Sequence, residues 1–130
     1  MECGPYSLDL DDYYAPGVTT DELVTRSLAT LRSNYADGSI DDTDNLRNSA
    51  IYIVGGTEDT TMPMLAVEGT DEVYTTMGVS KIDFQKLPIH HDPLGSRPID
   101  GIKYIYTELG YAPDGFNDPA TDAMAYGEMT

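Results

Sequence analysis

The chain has 130 residues, 23 of them acidic against 7 Lys and Arg, for a formal charge of −16. That length holds one domain, and a charge of that sign argues against both nucleic acid and anionic membrane surfaces as partners. The apolar fraction of 40 % supports a core, no apolar run approaches the ~20 residues of a membrane-spanning helix, and Cys3, the single cysteine, excludes an internal disulfide.

Residues 1–18 contain Gly4, Pro5, Pro16 and Gly17 and read as irregular. Glu2, Asp9, Asp11 and Asp12 stand where a secretory signal needs an apolar stretch. Thr19-Thr20-Asp21-Glu22 matches a capping box, with Thr19 as the cap and Glu22 reaching back to its amide. Leu23, Val24, Ser27, Leu28, Leu31 and Tyr35 then recur at helical spacing, which predicts a helix over 20–34 ending before Gly38.

Asp37 to Asn48 is polar and turn-rich, and it includes Asp41-Asp42-Thr43-Asp44. Neither this cluster nor Asp9-Leu10-Asp11-Asp12 has the alternating acids, central Gly and distal Glu of an EF-hand loop, so both read as solvated acidic loops. Ala50-Ile51-Tyr52-Ile53-Val54 is a short β-branched run suited to a strand buried on both faces, and Gly55-Gly56 stops it. After the polar loop 57–61, Pro63 suits the first turn of a second helix. Its apolar stripe is expected at Met64, Val67, Tyr74 and Met77, with Gly78 as its stop and Gly69 weakening its middle. Ile82–Ile89 is a second strand candidate, ended by the loop 90–96. Pro98 opens a third helix, with Ile99, Ile102, Ile105 (or Tyr106) and Leu109 on one face, and 111–130 reads as a loop or frayed tail.

The order α-β-α-β-α implies an α/β domain with a short parallel sheet flanked by helices. Two parallel strands are few for a stable doubly wound sheet. The chain is therefore expected to need another protein chain, or an upstream segment, to complete the sheet.

In an open parallel sheet, ligands and catalytic groups gather beyond the C-terminal ends of the strands. Asp59 follows the first strand, and His90 and His91 follow the second. If the strands are neighbours, a carboxylate at Asp59 can hold an imidazole in one tautomer and stabilise its charged form. Two plainer readings compete: Asp59 as a helix cap and the histidines as solvated loop residues. A metal site at His90, His91 and Asp92 is disfavoured, because adjacent side chains point in different directions. The sequence has no Gly-x-Ser-x-Gly, and none of its serines follows a strand on a glycine-flanked turn. A dedicated nucleophile is therefore missing from the pattern.

These residues resemble a known family. Gly4-Pro5-Tyr6, the stretch Ile40-Asp41 to Asn45-Leu46, Gly56-Thr57-Glu58-Asp59-Thr60-Thr61 and His90-His91-Asp92-Pro93 resemble segments downstream of the nucleophile in extracellular poly(3-hydroxybutyrate) depolymerases, which are α/β-hydrolases. The resemblance implies a partial α/β-hydrolase-like fold, a carboxylic ester substrate (a polyester or a short-chain ester), no cofactor and an extracellular setting. It also implies Asp59 as the triad acid and His90, by its spacing to Pro93, as the triad base. The residues themselves leave His90 and His91 open as alternatives, and they leave open a non-catalytic interaction domain on a hydrolase-derived scaffold.

Overall fold

A computed structural model describes residue 11, residues 14–91 and residues 97–110. The readings of 1–10, 12–13, 92–96 and 111–130, Cys3 among them, lie outside the described residues. Asp11 and Tyr14 take helical backbone rather than the irregular one expected of 1–18.

The first long helix, α1 (Thr20–Asp37), has the boundaries that local chemistry dictates. The Thr19 hydroxyl accepts the Glu22 N–H at 3.2 Å, satisfying one of the amides that a helix start leaves open. At the other end Gly38 has φ 80°, its N–H reaches Tyr35 O at 3.2 Å, and the Ser39 N–H reaches Asn34 O at 2.9 Å. This is a Schellman closure, and the left-handed residue in it favours glycine. The turn-rich stretch that follows folds into a 3-10 helix, Thr43–Asn48, capped by the Asp42 carboxylate on the Asp44 N–H at 2.9 Å. Its acids are thus engaged in structure: Asp42 also accepts from the Tyr35 hydroxyl, and Asp44 pairs with Arg47.

Strand β1 (Ala50–Gly56), helix α2 (Met64–Thr76) and strand β2 (Lys81–Leu87) form a β-α-β unit. The strands pair in parallel, with Ala50 opposite Lys81 and Gly56 opposite Leu87. Strand β2 stops two residues short of the expected Ile89, because Pro88 has no N–H for a ladder. The Ile89 N–H instead turns back to Leu87 O at 2.8 Å. Helix α3 (Arg97–Glu108) completes the order.

The two faces of β1 meet different helices. A Cβ on Gly55 would stand 2.9 Å from Met64 Sδ and 3.1 Å from Val67 Cγ1, so α2 covers the Gly55 face. On the opposite face, Gly101 of α3 lies so close to Tyr52 that a Cβ there would be 2.6 Å from the ring. Tyr104 adds a tilted ring contact to Tyr52, with centroids 6.2 Å apart. The third helix therefore docks through Gly101 and Tyr104, and Tyr106 and Leu109 of the expected stripe are exposed.

The sheet is less buried than a strand covered on both faces would be. Only Ala50, Ile53 and Gly55 of β1 are buried, and no residue of β2 is. In a two-stranded sheet every position lies beside an edge. The buried apolar clusters lie between α1 and α2 with the turn that leads into it: Leu23 meets Met62 and Ala66, and Val24 and Leu31 meet Val73. Each such Leu, Val or Met side chain contributes about 1.5–3 kcal/mol when fully buried. The buried residues of α2 are Ala66, Gly69 and Val73, not the predicted stripe, because α2 lies between α1 and the sheet and needs two contact faces.

Candidate functional site

Two loops leave the C-terminal ends of β1 and β2 side by side. The ladder continues into them: the Thr57 N–H donates to Leu87 O at 2.8 Å, and the Glu58 N–H donates to Ile89 O at 3.3 Å. Gly56 lies directly beneath the Ile89 carbonyl, where a Cβ would collide with backbone. The missing side chain at Gly56 is what allows this approach.

The zipped loops set Asp59 against His91. The His91 Nδ1–H donates to Asp59 Oδ2 at 2.9 Å. The other carboxylate oxygen, Oδ1, accepts the Thr61 N–H at 2.8 Å and the Met62 N–H at 2.9 Å. The Asp59 side chain is 9 % exposed and that of His91 is 47 % exposed. One carboxylate thus closes the turn that leads into α2 and orients an imidazole. Asp59 therefore fills the expected role of histidine partner but not that of helix cap: Pro63 stands at the cap position with no side-chain bond, and the Asp59 carboxylate binds amides of the turn before it. Burial pushes the Asp59 carboxyl upward, but the Met62 amide, the His91 ring and the Thr61 amide outweigh it and hold it below the usual carboxylate value.

His90, the position matched by spacing to Pro93, faces elsewhere. Its Nδ1 lies 3.0 Å from Glu58 O and its Nε2 lies 3.3 Å from Glu58 Oε2. Both contacts are to the same residue, the backbone and the side chain of Glu58. The side chain is 73 % exposed. The structure therefore brings Asp59 to His91 and leaves His90 with Glu58. His91 Nε2 has no partner among the described residues.

Two participants had no signal of their own in the sequence. Glu58 is adjacent to Asp59, but nothing local marks it as a clamp for His90. Tyr14 is 47 residues from the loop it touches: its hydroxyl donates to Thr61 O and lies 3.3 Å from Thr60 O. It ties the N-terminal segment to the loop that carries Asp59. Ser96, the serine nearest to the histidines in sequence, lies outside the described residues. No group of three or more His, Cys, Asp or Glu among the described residues is arranged to hold a metal ion, and no helix among them is long and apolar enough to cross a membrane.

No protein-family model, no curated protein and no solved structure matches the chain.

Proposed function

We propose that this chain supplies the acid and the base of a carboxylic ester hydrolase of the polyester depolymerase kind, with the nucleophile contributed by another chain or an upstream segment. The observation that carries this reading is the 2.9 Å bond between Asp59 and His91 at the C-terminal rim of two neighbouring parallel strands. The Asp59 carboxylate fixes the proton on His91 Nδ1. Nε2 then takes the proton of a serine hydroxyl as the oxygen attacks an ester carbonyl, and returns it to the departing alkoxide. Asp59 stabilises the imidazolium that forms between these steps. The family resemblance favours His90 in this role, but the contact with Asp59 favours His91.

The chain carries no Gly-x-Ser-x-Gly, so by itself it is expected to be inactive. The test is hydrolysis of p-nitrophenyl butyrate, by the purified chain and by its mixture with a polypeptide bearing the nucleophile strand and elbow. The mixture is expected to turn over, and Asp59→Asn or His91→Ala to lower that rate by about 10³–10⁴-fold. Turnover insensitive to both substitutions would refute the assignment. Turnover by the chain alone, lost in His90→Ala or His91→Ala, would refute the claim of inactivity.

A second reading, a non-catalytic interaction domain on this scaffold, is favoured by one observation. Asp59 Oδ1 already serves the Thr61 and Met62 amides, so the residue has a structural task without any catalysis. No rescue in the mixing experiment supports this reading.

A further inference from the structure

Away from the Asp59 loop, a depression of about 190 Å³ lies where α1, the 3-10 helix and the end of α2 meet. We infer that it binds a small carboxylate with an apolar or aromatic body. Three observations point there, and none of them depends on the hydrolase reading.

The first is charge. The chain has 7 Lys and Arg in all, and two of them, Arg32 and Arg47, line this one depression. Asp44 also lines it and pairs with Arg47 Nε at 3.0 Å, which leaves the lining one positive charge in excess within a molecule of charge −16. The second is availability. Arg32 has no hydrogen-bond or ion-pair partner among the described residues, whereas Arg47 is held by Asp44 and packs against Gly78, with its Nη1 3.1 Å from where a Cβ would stand. Among the described residues one guanidinium is thus fixed and the other uncommitted, and a guanidinium is the side chain best matched to a planar carboxylate. The third is the apolar part of the wall. Leu28, Leu31 and Met77 line it, and Tyr35 spends its hydroxyl on Asp42 at 3.2 Å, so its ring is what remains to offer. The volume falls below the ~300–1,000 Å³ of pockets for drug-sized ligands, so the occupant is small.

Benzoate is the probe, with benzamide as its uncharged counterpart and acetate as a carboxylate without the ring. Amide resonances of the full chain are followed by two-dimensional NMR during titration. Benzoate is expected to move the Arg32, Tyr35, Thr43 and Met77 signals saturably. Benzamide and acetate should each bind at least about tenfold more weakly, and Arg32→Gln should weaken benzoate by about tenfold. Arg32 is exposed, so that variant is expected to fold as the parent does. No saturable shift at these amides, equal binding of benzamide, or an unchanged affinity in Arg32→Gln would each overturn the inference.

Discussion

Asp59 and His91 are 32 residues apart in sequence and share a 2.9 Å hydrogen bond between loops that leave adjacent parallel strands. The bond uses one carboxylate oxygen, and the other closes a turn on the Thr61 and Met62 amides. Folding and any chemistry of the histidine are therefore coupled through a single side chain.

Removing that side chain should cost stability. Asp59→Ala leaves two amides and an imidazole without their acceptor and is expected to destabilise by about 1–3 kcal/mol. Asp59→Asn keeps an oxygen for the two amides and should lose less than half as much. Urea unfolding of the three proteins measures both differences, and an Ala variant as stable as the parent would contradict the geometry.

The same carboxylate fixes a pH window. Its folded value lies below its ordinary one, so its stabilising contribution is complete above the unfolded value of ~3.9 and disappears as pH falls through the folded one. The stability difference between the parent and Asp59→Asn should hold steady near pH 5 and shrink below about pH 4. Overall stability is a poor readout here, because protonating other carboxylates also relieves the repulsion within a −16 chain. The paired comparison isolates Asp59, and a difference that grows on acidification would reverse the sign and reject it.

Gly56 is the steric hinge of the site. In Gly56→Ala the new methyl meets the Ile89 carbonyl, and backbone must yield where no rotamer change can help. The expected cost is about 1–3 kcal/mol, together with loss of the His91 Nδ1–H signal that the Asp59 bond protects from exchange. Retention of that signal at parental stability would show that the loops approach each other differently.

Ser27 offers a prediction of opposite sign. It is fully buried in α1, and its Oγ has no hydrogen-bond partner among the described residues. Ser27→Ala removes an unsatisfied buried hydroxyl and improves helix propensity, so it should be neutral or stabilise by up to about 1 kcal/mol. A loss of 1 kcal/mol or more in urea unfolding would mean that the hydroxyl has a partner in solution.

The legible parts of this fold are those set by near neighbours in sequence. Thr19 and Gly38 mark the ends of α1 because a cap and a left-handed closure involve residues only a few positions apart. The β-branched run at Ala50 and the loops at Asp59 and His90–His91 could be placed at one rim, because a β-α-β crossover returns the second strand parallel to the first. The choice between the two histidines was not legible. Successive residues of an extended chain point to opposite sides, so it depends on how the 87–91 segment registers against 57–59, a matter of the Thr57 and Glu58 amides. The contact face of α2 differs from the predicted stripe for a related reason. Met64 and Val67 serve the sheet while Ala66 and Val73 pack on α1, and one periodic stripe cannot describe a helix with two partners. Tyr14 could not be foreseen at all, since its hydroxyl meets Thr60 and Thr61 only after the chain has closed a loop of more than forty residues.

The parallel pairing of β1 and β2 carries a signature that deuterium would reveal. Within such a pair, each strand turns alternate backbone N–H groups toward its neighbour and the rest outward. No third strand receives the outward set among the described residues. Isotope uptake along Ala50–Gly56 and Lys81–Leu87 should thus alternate, slow then fast, residue by residue, and a strand later docked along either rim would erase the alternation on that side first.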